Sequence, residues 1–160
     1  MSRLKFLRLR WPLLLPLLCA WMSFGLGTGR LSSAEAADDV LYGALVMATK
    51  VEKPDLPPNE LSTQAESLRT VFGYNQFRIL GQRRKTVTTG TEDWLVPSRQ
   101  FFLRVDTRGV TPNGYALGLE LLRDDHVIVS ADVKLSRERP LYIRGPFVGE
   151  GQLLILLMVL

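Results

Sequence analysis

The chain has 160 residues, with 20 lysines and arginines against 16 aspartates and glutamates, one histidine and one cysteine. Five of the basic and one of the acidic side chains fall within residues 1–36, so residues 37–160 carry fifteen of each and no net charge. The high isoelectric point therefore belongs to the N-terminus and argues for no nucleic-acid partner. The lone Cys19 also precedes residue 37, which excludes disulfides, thiolate metal sites and a cysteine nucleophile from residues 37–160.

The first 36 residues have the parts of a secretory signal. Arg3, Lys5, Arg8 and Arg10 form a positive start, Trp11 to Leu26 an apolar centre, and Ala34-Glu35-Ala36 a small-residue site predicting cleavage before Ala37. The alternative is an uncleaved anchor. Pro12 and Pro16 disfavour it, because a spanning helix wants about 20 uninterrupted apolar residues. Leu18 stands before Cys19 where a lipid-attachment site wants a small residue. The expectation is export to the periplasm or beyond, a signal at 1–36, a single domain over 37–160, and no transmembrane span after cleavage.

VLYGALVMAT (40–49) has the length and flanks of a buried strand, although period alone does not separate it from a short helix. Pro54, Pro57 and Pro58 make the next stretch an extended connection. NELSTQAESLRTVFG predicts a helix over 59–72. Leu61, Ala65, Leu68 and Phe72 line one face, Asn59 or a neighbour caps the start, and Gly73 ends the helix in a left-handed conformation.

Strand patterns come next. FRILGQRRKTV (77–87) is apolar at both ends with a basic centre, and TTGTED is a turn. Residues 99–107 alternate Phe101, Leu103 and Val105 against Phe102, Arg104 and Asp106, and RGVTPNG is a turn. Tyr115, Leu117, Leu119 and Leu121 share a face of 115–123. Across an Asp124-Asp125 turn, Val127, Val129, Ala131, Val133 and Leu135 share a face of the next strand. LYIRGPFV (141–148) should sit at a sheet edge or bend at Pro146. The expected fold class is α+β: an N-terminal strand–helix–strand unit followed by an antiparallel sheet or sandwich of about five strands.

The closing run Leu153–Leu160 asks whether it is an anchor or a core strand. As a helix, eight residues rise only about 12 Å against a hydrocarbon thickness of about 30 Å. A lipid-exchange signal needs roughly 10–20 apolar residues. As a strand it reaches about 26 Å, enough to cross a small domain, and a continuous apolar run bounded by glycine turns suits burial on both faces. An outer-membrane barrel strand would alternate, and this one does not.

Catalytic, cofactor and metal sites are not expected. His126 is the sole histidine, and Asp124, Asp125 and His126 suit a hairpin turn better than a ligand set. No G-x-S-x-G elbow is present, and nothing singles out a carboxylate pair among the acids. Arg83, Arg84 and Lys85 form the densest basic cluster after residue 36. It suits an anionic contact surface or a solvated strand end that discourages edge pairing. Trp94 is either an exposed contact residue or, as a lone Trp more often is, a core or edge-packing one.

In RPLYIRGPFVGEGQLLILLMVL, Leu141 to Ile143 precede Arg144-Gly145, and Leu153 to Val159 lie beyond. This resembles the β-rich core of bacterial secretins, the outer-membrane pores of secretion and pilus systems, where an apolar strand leads through a glycine pair to another. Arg144 stands where the first glycine would be, Pro146 comes directly after Gly145, and the chain is far shorter than a secretin. The resemblance implies a small exported relative of that domain, or an accessory of an envelope machine. The expected function is non-enzymatic, through a protein partner in the envelope at a sheet edge or the helix face. The alternatives are a glycan- or lipid-binding module using Trp94 or Tyr74, and a small hydrolase.

Overall fold

The computed structural model describes residues 38–88 and 90–160. The signal features at 3–36 and the cleavage point before Ala37 lie outside the described residues. In chain order come β1 (Asp39–Thr49), a 3-10 turn (Asn59–Leu61), α1 (Ala65–Phe72), β2 (Gln76–Val87) and β3 (Asp93–Pro97). Next are β4 (Phe102–Thr111), β5 (Gly114–Arg123), β6 (His126–Ser136), β7 (Leu141–Val148) and β8 (Gly151–Val159). They form two four-stranded antiparallel sheets, ordered β2-β1-β8-β7 and β3-β4-β5-β6.

Two cores result from strand alternation in the first sheet. On one face, Leu41 and Leu45 of β1 and Leu153, Ile155 and Leu157 of β8 meet the inward residues of the second sheet. Those include Leu103, Val105, Tyr115, Leu117, Leu119 and Leu121. On the other face, Tyr42, Ala44, Val46, Leu154 and Leu156 meet Leu61 and Leu68 from the helical segment. The closing run is thus an interior strand of its sheet, buried on both faces. Among the described residues, no helix is long and apolar enough to cross a membrane.

Several expectations hold. Gly73 ends α1 at φ 77°, its N–H donating to the Arg69 carbonyl at 2.9 Å. Asp124 and Asp125 both have positive φ, as a two-residue turn closing β5 onto β6 demands. β7 is an edge strand whose register slips between Arg144 and Phe147, across Gly145-Pro146.

Other expectations need correction. The fold is mostly β, and the strand–helix–strand unit is not a separate module. β1 and β2 pair directly with each other and share their sheet with the last two strands, while α1 packs on that sheet's outer face. The helix is shorter than 59–72, because the Ser62-Thr63 region forms only turns after the 3-10 turn. Gln64 stands at its start without a side-chain cap, so Asn59 does not cap it. β3 begins at the end of the expected TTGTED turn and fills the stretch before residue 99, where no strand is expected. Only Trp94 and Val96 of its five residues face inward, a pattern too short to stand out beside Pro97. β4 continues through Arg108 to Thr111 by a bulge between Thr107 and Gly109. Residues 99–101, expected in that strand, belong instead to the turn in which the Ser98 N–H donates to the Phe101 carbonyl at 2.9 Å. Val127 leaves the shared face of β6 because a bulge sets it opposite the outward Leu122, and it is 50% exposed. The second sheet has four strands rather than about five.

Candidate functional site

β2 begins FRIL and ends KTV, so β-favouring side chains hold both ends in the sheet and the basic residues between them ride along. Alternation divides the basic cluster. Tyr42 faces Arg84 across the β1–β2 ladder, Gly43 faces Arg83, and Leu41 faces Lys85. Arg84 therefore shares the helix-side face with Tyr42, whose hydroxyl donates to Gln82 Oε1. Burial, then the nearby Glu60 carboxylate, raises the Tyr42 pKa above its ordinary value. Arg83 and Lys85 point to the side of the second sheet, where Lys85 pairs with Glu92 at 2.6 Å.

Trp94 is not at the surface. It is 5% exposed and packs on Gly43, where a Cβ would come within 2.8 Å of the indole ring. Tyr74 is half-buried at the edge of the helix-side core and donates its hydroxyl to Gln152 Oε1 at 3.2 Å. The two aromatics that a ligand groove would need thus belong to the packing of two different layers.

The arginines fall into two groups. Arg104 pairs with Glu120 at 2.8 Å, Arg108 with Asp106 and Asp132 at 2.9 and 2.7 Å, and Arg137 with Asp39 at 2.7 Å. Arg69 and Arg123 also have carboxylates in reach. Among the described residues, Arg83 and Arg84 have no such partner, nor do Arg78 of β2, Arg99 of the β3–β4 turn, Arg139 before β7 and Arg144 of β7, which lies over the Phe72 ring. Arg78 and Arg99 line one cleft of about 400 Å³ with Ile79, Leu80, Ser98 and Gln100. Neither stands out in the sequence, since they are 21 residues apart and only the approach of β3 to β2 brings them together.

β2 is also an edge. Among the described residues no strand hydrogen-bonds to its outer side, and from Gln82 to Val87 it pairs with β1 without a break. Of the other edges, β7 bends at Gly145-Pro146, β3 has five residues and ends on proline, and β6, unbroken from Val129 to Ser136 after its bulge at Val127-Ile128, carries no arginine.

No protein-family model, curated protein or solved structure matches this chain. Among the described residues no group of three or more His, Cys, Asp or Glu side chains is placed to hold a metal ion. The His126 ring nitrogen Nδ1 instead lies 2.7 Å from the Asp124 carbonyl, within the hairpin turn. What β2 offers is three arginines without carboxylate partners, with Arg99 of the β3–β4 turn as a fourth, beside an unpaired strand edge.

One strongly tied carboxylate works in the fold. Asp39, the first residue of β1, accepts hydrogen bonds at Oδ2 from the Tyr115 hydroxyl and from Arg137 Nε, both at 2.7 Å. The Tyr115 bond, followed by Arg137 through its hydrogen bond and charge, holds the carboxyl below its ordinary value against an opposing desolvation cost. A depressed carboxyl stabilises the fold above the ordinary carboxylate range, and that contribution is lost as pH falls through the folded-state pKa. Asp39→Asn is expected to lower stability at neutral pH by about 1–3 kcal/mol. The gap between variant and wild type should narrow as pH is lowered through the carboxylate range in urea melts. A gap independent of pH would show that the charge plays no part.

Proposed function

We propose that this chain is an exported protein of the bacterial envelope that performs no chemistry of its own and acts by holding another protein, as an accessory of a secretion or pilus-type assembly. The N-terminal signal pattern supports the location, and the resemblance of residues 140–160 to the secretin β-core supports the setting. The observation that carries the contact itself is a local gathering of unpaired positive charge. Arg78, Arg83, Arg84 and Arg99 gather without carboxylate partners along one sheet edge, while Arg104, Arg108 and Arg137 are neutralised locally. Exposed cations beside an edge steer an acidic partner and hold its register.

Arg83→Glu with Arg84→Glu should leave the fold intact, since both side chains are exposed on the strand that carries them. Affinity purification of the wild-type protein from the native envelope should recover a stoichiometric partner, which the double variant loses. Recovery of the wild-type protein alone, with no second protein in stoichiometric amount, overturns the proposal.

A further inference from the structure

Resting on the reading of β2 as the contact edge, we infer that its occupant is an extended acidic peptide segment with adjacent Asp or Glu residues, added to the first sheet as a fifth strand along Gln82–Val87. A strand edge recognises backbone, and six residues of it span about 20 Å, the length of an ordinary strand. Arg83 and Arg84 project to opposite faces, opposite Gly43 and Tyr42 respectively. A paired strand would likewise present successive side chains to opposite faces, close to their cross-strand neighbours. Acids at alternate positions would therefore reach only one arginine, whereas two consecutive acids reach both. Lys85 adds little to this recognition, because Glu92 already neutralises it at 2.6 Å.

The added strand has a natural stop at the bulge in β2, where Leu80 falls between Ile79 and Gly81 without a partner on β1. Beside it the end of β3 lies over the inter-sheet face of β2, so that even a methyl group on Gly81 would meet the Pro97 carbonyl. Beyond that point the peptide has to leave the edge, and the cleft lined by Arg78 and Arg99 is the adjoining opening. A further acid a few residues past the adjacent pair would lie over these two cations. An anionic membrane surface would use the same cations but would not use the strand's backbone groups, which separates the two occupants experimentally.

The probe is a fluorescent twelve-residue peptide of Val and Thr with a central Asp-Glu pair and one flanking Glu, read by anisotropy against the exported protein purified from the envelope. Binding should weaken by about tenfold or more when the acids become Asn and Gln, and equally in the Arg83→Glu, Arg84→Glu variant. It should also weaken as salt is raised. Hydrogen exchange should show new protection at amides within 82–87 when the peptide binds. Binding without that protection overturns strand addition. Phosphatidylglycerol vesicles that bind through Arg83 and Arg84 while the peptide does not would assign the edge to a lipid surface and overturn the inference. If the envelope partner is lost in the double variant yet the acidic peptide fails to bind, the contact reading stands and this occupant does not.

Discussion

Removal of Leu153–Leu160 is expected to leave a chain with no cooperative unfolding transition. β8 lies between β1 and β7, and from Gln152 to Val159 it pairs with β1 residue by residue. Its loss would open the first sheet in the middle and detach β7 altogether. Leu153, Ile155 and Leu157 fill the core between the sheets, and Leu154 and Leu156 fill the core under the helix, all at 1% exposure or less. Burying each is worth about 1.5–3 kcal/mol, so the five together rival the roughly 5–15 kcal/mol net stability of a whole domain. Urea titration followed by circular dichroism decides the matter, and a sigmoidal transition in the truncated protein would refute it. Point variants test the two-faced burial directly. Ile155→Ala and Leu156→Ala should each cost about 2–5 kcal/mol, although their side chains point in opposite directions. A strand packed on one face only would lose stability at one of the pair and not at its neighbour.

That both faces of β8 are buried is legible in the sequence because the signal is local: eight apolar residues with no alternation, bounded by glycine. The same holds for Tyr115, Leu117, Leu119 and Leu121, whose period of two is unbroken and whose side chains are all buried. What local pattern does not give is pairing. β1 and β8 are neighbours across more than a hundred residues, and nothing in VLYGALVMAT says that its partner closes the chain. Hence the helix-flanked strands look like a unit of their own. Bulges are equally hidden. The slips at Thr107/Gly109 and Leu121/Leu122 arise from how two strands meet, and they move Val127 out of the core and extend β4 past Arg108. At the candidate site, the triplet Arg83-Arg84-Lys85 is visible as composition. Its division between two faces comes from alternation once β2 is a strand, but the withdrawal of Lys85 by Glu92 and the arrival of Arg99 both depend on tertiary approach.

Gly81 is where that approach is tightest, and a side chain there is expected to be among the most damaging single changes in the protein. A Cβ built on Gly81 would lie 1.9 Å from the Pro97 carbonyl oxygen and 2.8 Å from its carbon. Both are backbone atoms, so no rotamer change relieves the clash. β2 must move away from β3, which separates the two sheets along this side. Overpacking a core side chain costs about 1–3 kcal/mol. Gly81→Val should exceed that range, and Gly81→Ala should fall near its top. Two other glycines calibrate the expectation. At Gly43 the obstacles are the Trp94 ring at 2.8 Å and the Val96 side chain at 2.9 Å, which can shift, so Gly43→Ala should cost less than Gly81→Ala. At Gly109 nothing lies within 4 Å, so Gly109→Ala should be nearly neutral. Equal midpoints for the Gly81 and Gly109 alanine variants in urea would show that β2 and β3 do not meet in this way.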